Sequence, residues 1–353
     1  MQAIILTGGL GTRLRPFTCG TPKPLLPVVN TPFIHYQLNN LRRHGITEVI
    51  LATAYRPEQF KRILGTGSKL GVRIRYVHEK KPLGTGGAVL NAGRYLNGTT
   101  LILNGDVLHA LNIPAFIRSH RKAKAEISLT LVSVGDPTRF GLVETGKDGR
   151  ITRFLEKPSW EEVTCDTINA GAYLFEPSAI ESIPGNRPAS LERDLFPQAL
   201  EQGRRIFAYT SREYWIDFGT VDKYLQIHLD ILGGHAPFLP KRLKRQGDFL
   251  LDAGAKVSAN VVRTGAGCVV LGRSSKAAAR SRFIGSVCVG DRCVIEEDAV
   301  LEDCVVLSGT RIAAGARITR AIVGGNCRIG RKTVLGPGRT LGDRSIVCDY
   351  STL

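Results

Sequence analysis

Up to about residue 232, short apolar runs of strand type alternate with segments of helical period. Ala3-Ile4-Ile5-Leu6, Glu48-Val49-Ile50-Leu51-Ala52, Thr100-Leu101-Ile102-Leu103-Asn104 and Glu126-Ile127-Ser128-Leu129-Thr130-Leu131 predict strands. Thr31 as a cap, with Pro32 at the first helical position, predicts a helix through Leu38 and Leu41 that ends near Gly45. Pro57 and Pro114 each open another. Alternation of this kind predicts an α/β fold, a Rossmann-like doubly wound mixed sheet that is mostly parallel. Ligands of such sheets bind beyond the carboxyl ends of the strands. A glycine-rich loop follows the first strand and Asp106 ends a later one, so both fall on that edge.

Beyond Gly233-Gly234-His235-Ala236-Pro237-Phe238-Leu239-Pro240-Lys241-Arg242, which reads as a linker, the period becomes six. Cys288, Val294, Val300, Val306, Ile312 and Ile318 form one row, and Val289, Ile295, Leu301 and Leu307 a parallel one. After a short slip, Ile329, Leu335, Leu341 and Val347 resume the spacing, as do Gly324, Gly330, Gly336 and Gly342. One inward aliphatic residue per six predicts a parallel β-helix of hexapeptide repeats. The expected organisation is a catalytic domain at 1–232, a linker at 233–250 and a β-helix at 251–353. Each coil exposes ladder edges, so association into a homo-oligomer through the β-helix is expected. The basic stretch from Arg273 to Arg282 breaks the rhythm and is expected to protrude as a solvated loop.

Composition narrows the classes. The chain has 353 residues, 22% charged and 43% hydrophobic, as in soluble globular proteins. No stretch approaches membrane-spanning length, and the start lacks the basic segment and long apolar run of a secretory leader, so a cytoplasmic protein without a membrane partner is expected. The formal charge is +17, yet the basic C-terminal third has few aromatic residues to stack bases. A nucleotide-handling enzyme with a charged surface accounts for the charge more simply than a nucleic-acid partner. The eight cysteines include no Cys-x-x-Cys pair, which argues against zinc and for packing.

The loop Thr7-Gly8-Gly9-Leu10-Gly11-Thr12-Arg13-Leu14-Arg15 joins three glycines to two arginines. Glycines let backbone N–H groups approach a polyphosphate, and the guanidinium groups add charge-assisted bonds. The loop is not a P-loop, and Leu14 stands where a dinucleotide fingerprint needs a small residue. A plain strand-to-helix turn explains the glycines alone equally well.

Together with Thr21-Pro22-Lys23-Pro24-Leu25, this segment resembles the signature of the sugar-1-phosphate nucleotidyltransferases, and among them the mannose-1-phosphate guanylyltransferases. The likeness runs on through Ala54-Tyr55-Arg56-Pro57-Glu58, Pro82-Leu83-Gly84-Thr85-Gly86-Gly87, Leu103-Asn104-Gly105-Asp106, Phe140-Gly141-Leu142-Val143, Glu156-Lys157-Pro158, Asn169-Ala170-Gly171 and Trp215-Ile216-Asp217-Phe218-Gly219-Thr220. The family order is kept over the first two thirds of the chain.

The resemblance implies a left-handed β-helix and a transfer of a nucleotidyl group from an NTP, here GTP, to a sugar 1-phosphate, here mannose 1-phosphate. It implies that Leu6, Gly8, Gly9, Gly11, Thr12, Arg13, Lys23, Glu79, Gly84, Thr85 and Asp106 meet the nucleotide. Gly141, Glu156, Lys157, Asn169 and Gly171 would line the sugar pocket. Asp106 and Asp217 would hold Mg²⁺, and Arg13, Lys23 and Lys157 would be the catalytic cations. Mg²⁺ suits such work because it bridges phosphate oxygens and takes only one or two carboxylates. Asp106 also reads as an ordinary turn aspartate, Thr85 as a helix cap, and Gly141 and Gly171 as structural turns.

Two other classes fit less well. A β-helix acyltransferase generally needs a histidine base, and the last of the seven histidines is His235, ahead of the repeats. A catalytically silent regulatory subunit would have lost the charged site residues, all of which are present. Other bases and sugars (dTTP, UTP or ATP with glucose, or GTP with a heptose) remain open within the class.

Overall fold

The computed structural model describes residues 1–79, 81–185 and 187–353. They form two compact units: Met1–Leu10 with Ile34–Trp215, and Gly11–Phe33 with Ile216–Leu353.

The first unit is built on strands β1 (Gln2–Thr7), β2 (Glu48–Thr53), β3 (Arg73–His78) and β4 (Thr100–Asn104). β1 lies between β2 and β4, parallel to both, with Ile4 opposite Ile50 on one side and Ile102 on the other. Ala3, Ile4 and Ile5 are fully buried, as near-continuous apolar runs in parallel strands must be. Helices α1 (Phe33–Arg43), α2 (Pro57–Leu64), α3 (Gly84–Gly93) and α4 (Ile113–Ala123) follow strands in the expected alternation. Pro57 opens α2, and Asn112 caps α4 by accepting from Ala115 N at 3.1 Å.

The expectation of a mostly parallel sheet fails in its second half. The strands there are β5 (Ile127–Ser133), β6 (Gly141–Thr145), β7 (Ile151–Glu156), β8 (Thr167–Phe175) and β9 (Ile206–Thr210). β8 runs antiparallel to β4, β5 and β6, and β7 pairs antiparallel with β6. The five residues between β6 and β7 suffice for a hairpin but not for a parallel crossover. Phe154, Tyr173, Phe175 and Phe196 pack together in the core beneath.

The second unit is a left-handed β-helix preceded by helix α5 (Val221–Leu232). Three parallel sheets stack its strands, one through 249–251, 269–271, 287–289, 305–306, 322–323 and 340–341. Within the segment expected to be a linker, Lys244–Gln246 forms a hairpin with Phe249–Leu251 and so precedes the first rung.

Two expectations about the repeat change. The inward row runs Val289, Ile295, Leu301, then Val306, Ile312, Ile318, then Val323, Ile329, Leu335. Val269 pairs with Val287, but Val305 pairs with Ile322, one position closer in sequence. The turns through Asp303 and Arg320, both left-handed, take one residue fewer than the turn at Gly285. The row from Cys288 to Ile318 therefore switches face. Val294 is 36% exposed, whereas Val306 is in the core.

The second change concerns Arg273–Arg282, which is a regular coil rather than a protruding loop. Lys276–Ala277 pairs with Lys256–Val257 and Val294–Ile295. Ser275, Ala277 and Ser281 turn inward and the basic side chains outward. The inward row runs on through Leu271, Ala277 and Phe283, while Ser275 stacks in the column of Cys293, Thr310 and Cys327, its hydroxyl donating to Gly290 O and accepting from Cys293 N.

Thr31 does not cap α1. Thr31–Pro32 pairs with Pro27–Val28 across Val29 and Asn30, both at positive φ as a two-residue hairpin turn requires. All eight cysteines are free, and Cys293, Cys304 and Cys327 fill the β-helix core.

Candidate active site

Within the second unit, the glycine loop and the segment after Ile216 supply one group of charges. Gly11 has φ +63°, and a Cβ there would sit 3.0 Å from Thr18 Cγ2. Thr18 donates to Gly11 O at 2.7 Å, and buried Leu14 anchors the short turn that carries Thr12 and Arg13. Lys23 is only 6% exposed, on a tight turn between Pro22 and Pro24. Its Nζ lies 3.4 Å from Asp217 Oδ1 and 4.8 Å above the Phe218 ring. A Cβ on Gly219 would lie 2.9 Å from Arg13 Nη2 and 3.2 Å from both Asp217 oxygens. The bare glycine thus gives Arg13 and Asp217 a common space. Arg13, Lys23 and Asp217, remote in sequence, are neighbours.

Within the first unit, the carboxyl edge of the sheet carries a second group. Gly105 N donates to Leu6 O at 2.9 Å, and a Cβ on Gly105 would stand 2.5 Å from that oxygen. Only glycine lets the Asn104-Gly105-Asp106 turn close on β1, which sets Asp106 at the strand end. Glu79 is buried near Gly8, its Oε1 being 3.7 Å from where a Gly8 Cβ would be. It accepts from Leu83 N at 3.0 Å, and burial pushes its carboxyl above the usual range. Gly9 is exposed and faces open space. Gly84, at φ +77°, approaches Ala189 O so closely that a Cβ would be 2.4 Å away. The alternative of Thr85 as a helix cap does not hold. Its hydroxyl donates to Glu192 Oε2 at 2.7 Å and accepts from Leu191 N at 2.8 Å.

The residues expected for the sugar gather around the β6–β7 hairpin and β8. Gly141 is paired with Glu156, and a Cβ on it would fall 2.6 Å from Phe154 and 3.1 Å from Glu156 Oε2. Lys157 takes a left-handed conformation, its N–H donating to Phe140 O at 2.9 Å. Its exposed ammonium is 4.0 Å from Glu156 Oε1. Asn169 accepts from Gly171 N at 3.1 Å and donates to the Tyr173 hydroxyl at 2.9 Å. Gly171, at φ +74°, abuts the Asn104 side chain. Burial raises the Glu156 pKa, and the nearby charge of Glu192 raises it further.

Glu192, Tyr173 and Asn104 join this group without having been expected. Asn104 stands in the motif Leu103-Asn104-Gly105-Asp106, a signal that could have found it. Glu192 meets Thr85 from 107 positions away and carried no local signal. The donors offered to a metal are single carboxylates, which fit an ion held largely by phosphate oxygens. Among the described residues no group of three or more His, Cys, Asp or Glu gathers as a metal cluster.

Fold and site together define a nucleotide-handling transferase, and the comparisons identify its family. Residues 2–233 match the nucleotidyl transferase family, and residues 265–352 match the GMPPB C-terminal domain. The chain belongs to the nucleotidyl transferase family, and joins an NTP to a sugar 1-phosphate to give an NDP-sugar and pyrophosphate. It is 38% identical to a mannose-1-phosphate guanylyltransferase of Mycobacterium tuberculosis, over 91% of this chain and 83% of the relative. It is 30% identical to a UTP–glucose-1-phosphate uridylyltransferase of Synechocystis, over 92% of this chain and 87% of that one. Among solved structures it resembles HddC from Yersinia pseudotuberculosis complexed with GMP-PN, at 27% identity and a TM-score of 0.57, covering 65% of this chain and 99% of that one.

Proposed function

We propose that the chain is a mannose-1-phosphate guanylyltransferase, using GTP and Mg²⁺. The observation that carries this reading is the 38% identity to the Mycobacterium tuberculosis enzyme of that name, which spans most of both chains. In this reading a phosphate oxygen of mannose 1-phosphate attacks the α-phosphorus of GTP. A new P–O bond forms as the bond to the β-phosphate bridging oxygen breaks, and the electron pair leaves with pyrophosphate. Two polyanions must meet, so catalysis is mainly positioning and charge neutralisation. Arg13 and Lys23 hold the triphosphate and the departing pyrophosphate, and Lys157 holds the sugar phosphate. Glu156, Asn169, Gly141 and Gly171 receive the sugar. Leu6, Gly8, Gly9, Gly11, Thr12, Glu79, Gly84 and Thr85 receive the nucleotide. Asp106 and Asp217 are the carboxylates for Mg²⁺, which when bound lowers the charge on the phosphate oxygens.

The eight free cysteines favour a reducing compartment, in keeping with the cytoplasm. Among the described residues no helix is long and apolar enough to cross a membrane. Ile346, Tyr350 and Leu353 at the last coil are 73%, 69% and 45% exposed, which supports association through the β-helix.

The test is a pyrophosphate-release assay crossing GTP, UTP, dTTP and ATP with mannose, glucose and heptose 1-phosphates, with and without Mg²⁺. GTP with mannose 1-phosphate should be the productive pair, silenced by EDTA. A preference for UTP and glucose 1-phosphate would transfer the chain to the uridylyltransferase reading.

A further inference from the structure

Gln37 lies on α1, 94% buried, and no motif draws attention to it. Its Nε2 donates twice, to Asn104 O at 2.8 Å and to Val107 O at 2.9 Å. These carbonyls flank Asp106 on either side. Gly105 N, donating to Leu6 O, also fixes the turn. One amide group therefore clamps both ends of the four-residue turn, while β1 holds its middle.

The Oε1 end of the Gln37 amide faces a small cavity. Its Oε1 is buried and has no hydrogen-bond partner among the described residues, as is true of Asn104 Oδ1 and His109 Nδ1. Among the described residues, the hydrogen bonds of the Gln37 side chain run from Nε2 to the turn. All three residues line a cavity of about 20 Å³, room for a single water. An aliphatic residue of the same length would fill the position but leave both carbonyls without this donor.

We propose that Gln37 is a positioning residue for Asp106, fixing the turn so that its carboxylate is presented to the divalent cation in one orientation. The proposal rests on Asp106 being a metal-binding carboxylate. Outer partners that orient a metal-binding group are worth roughly tenfold or more in metal affinity.

The test uses the full-length enzyme with GTP and Mn²⁺, free Mn²⁺ being read by electron paramagnetic resonance. Gln37→Met keeps the length and removes both donors, while Gln37→Glu keeps the shape and repels the two carbonyls when ionised. Each should weaken Mn²⁺ binding about tenfold. Each should also raise the Mg²⁺ concentration for half-maximal rate, with kcat largely recovered at saturating Mg²⁺. Mn²⁺ affinity equal to wild type in a folded variant overturns the proposal, even where the melting temperature drops. Asp106→Asn measured alongside separates the two layers. If it too binds Mn²⁺ normally, the metal assignment has failed. If it alone loses Mn²⁺, only the role of Gln37 has.

Discussion

The Lys23 ammonium sits 3.4 Å from Asp217 Oδ1 and over the face of Phe218, 194 positions away in sequence from its carboxylate partner. A cation this buried needs a counter-charge, and an aromatic face adds attraction without hydration. The pair fixes the ammonium on a turn whose prolines already limit its motion. Replacing Lys23 with Met, which keeps the stem, should lower kcat about 100-fold and leave the fold intact. Steady-state kinetics with circular dichroism checks this, and a variant within twofold of wild type would remove Lys23 from the machinery.

Asp217→Asn and Asp106→Asn should each cut turnover strongly while melting within a few degrees of wild type. Near wild-type rates in both variants would end the metal assignment.

Gly171→Ala places a methyl group at φ +74° and 2.8 Å from Asn104 Nδ2. Strain and overpacking together should cost about 2 kcal/mol, read by urea denaturation. The displaced Asn104 should also raise KM for the sugar phosphate more than KM for the nucleotide. Equal changes in both constants would argue against a sugar-side position.

Stability should fall with acid partly through His228. Burial drives its pKa down from 6.5 to about 3. Below pH 6.5 the unfolded chain takes up a proton that the folded chain refuses, so each unit of fall costs about 1.4 kcal/mol until pH 3. At pH 5 the loss is about 2 kcal/mol, and above pH 7 it vanishes. Denaturation at pH 7 and 5 should show a smaller difference in His228→Gln than in wild type.

Ser275→Ala deletes the hydroxyl bonded to Gly290 O and Cys293 N inside the β-helix. The variant should lose about 1–3 kcal/mol, because the Cys293 N–H is left buried without its partner. Were Arg273–Arg282 a solvated excursion, the substitution would be neutral.

The sequence by itself determined the local elements and the chemical class. Apolar runs and prolines marked the strands of the parallel half and the starts of α2 and α4, since these depend on near neighbours. The six-residue period disclosed the β-helix, and ordered motifs disclosed a transferase acting on phosphates. Tertiary structure alone decided what depends on distant partners. It set the antiparallel half of the sheet and the change of inward row at Val306. It gave Arg273–Arg282 a regular coil, in which small Ala277 takes the inward position and Ser275 is satisfied by the backbone of the next coil. It drew Thr85 away from capping and onto Glu192, and it placed Lys23 against Asp217 and Gln37 astride Asp106. Periodicity records how a residue meets its own helix or strand, whereas a hydrogen bond across a hundred positions leaves no trace until the chain has closed on itself.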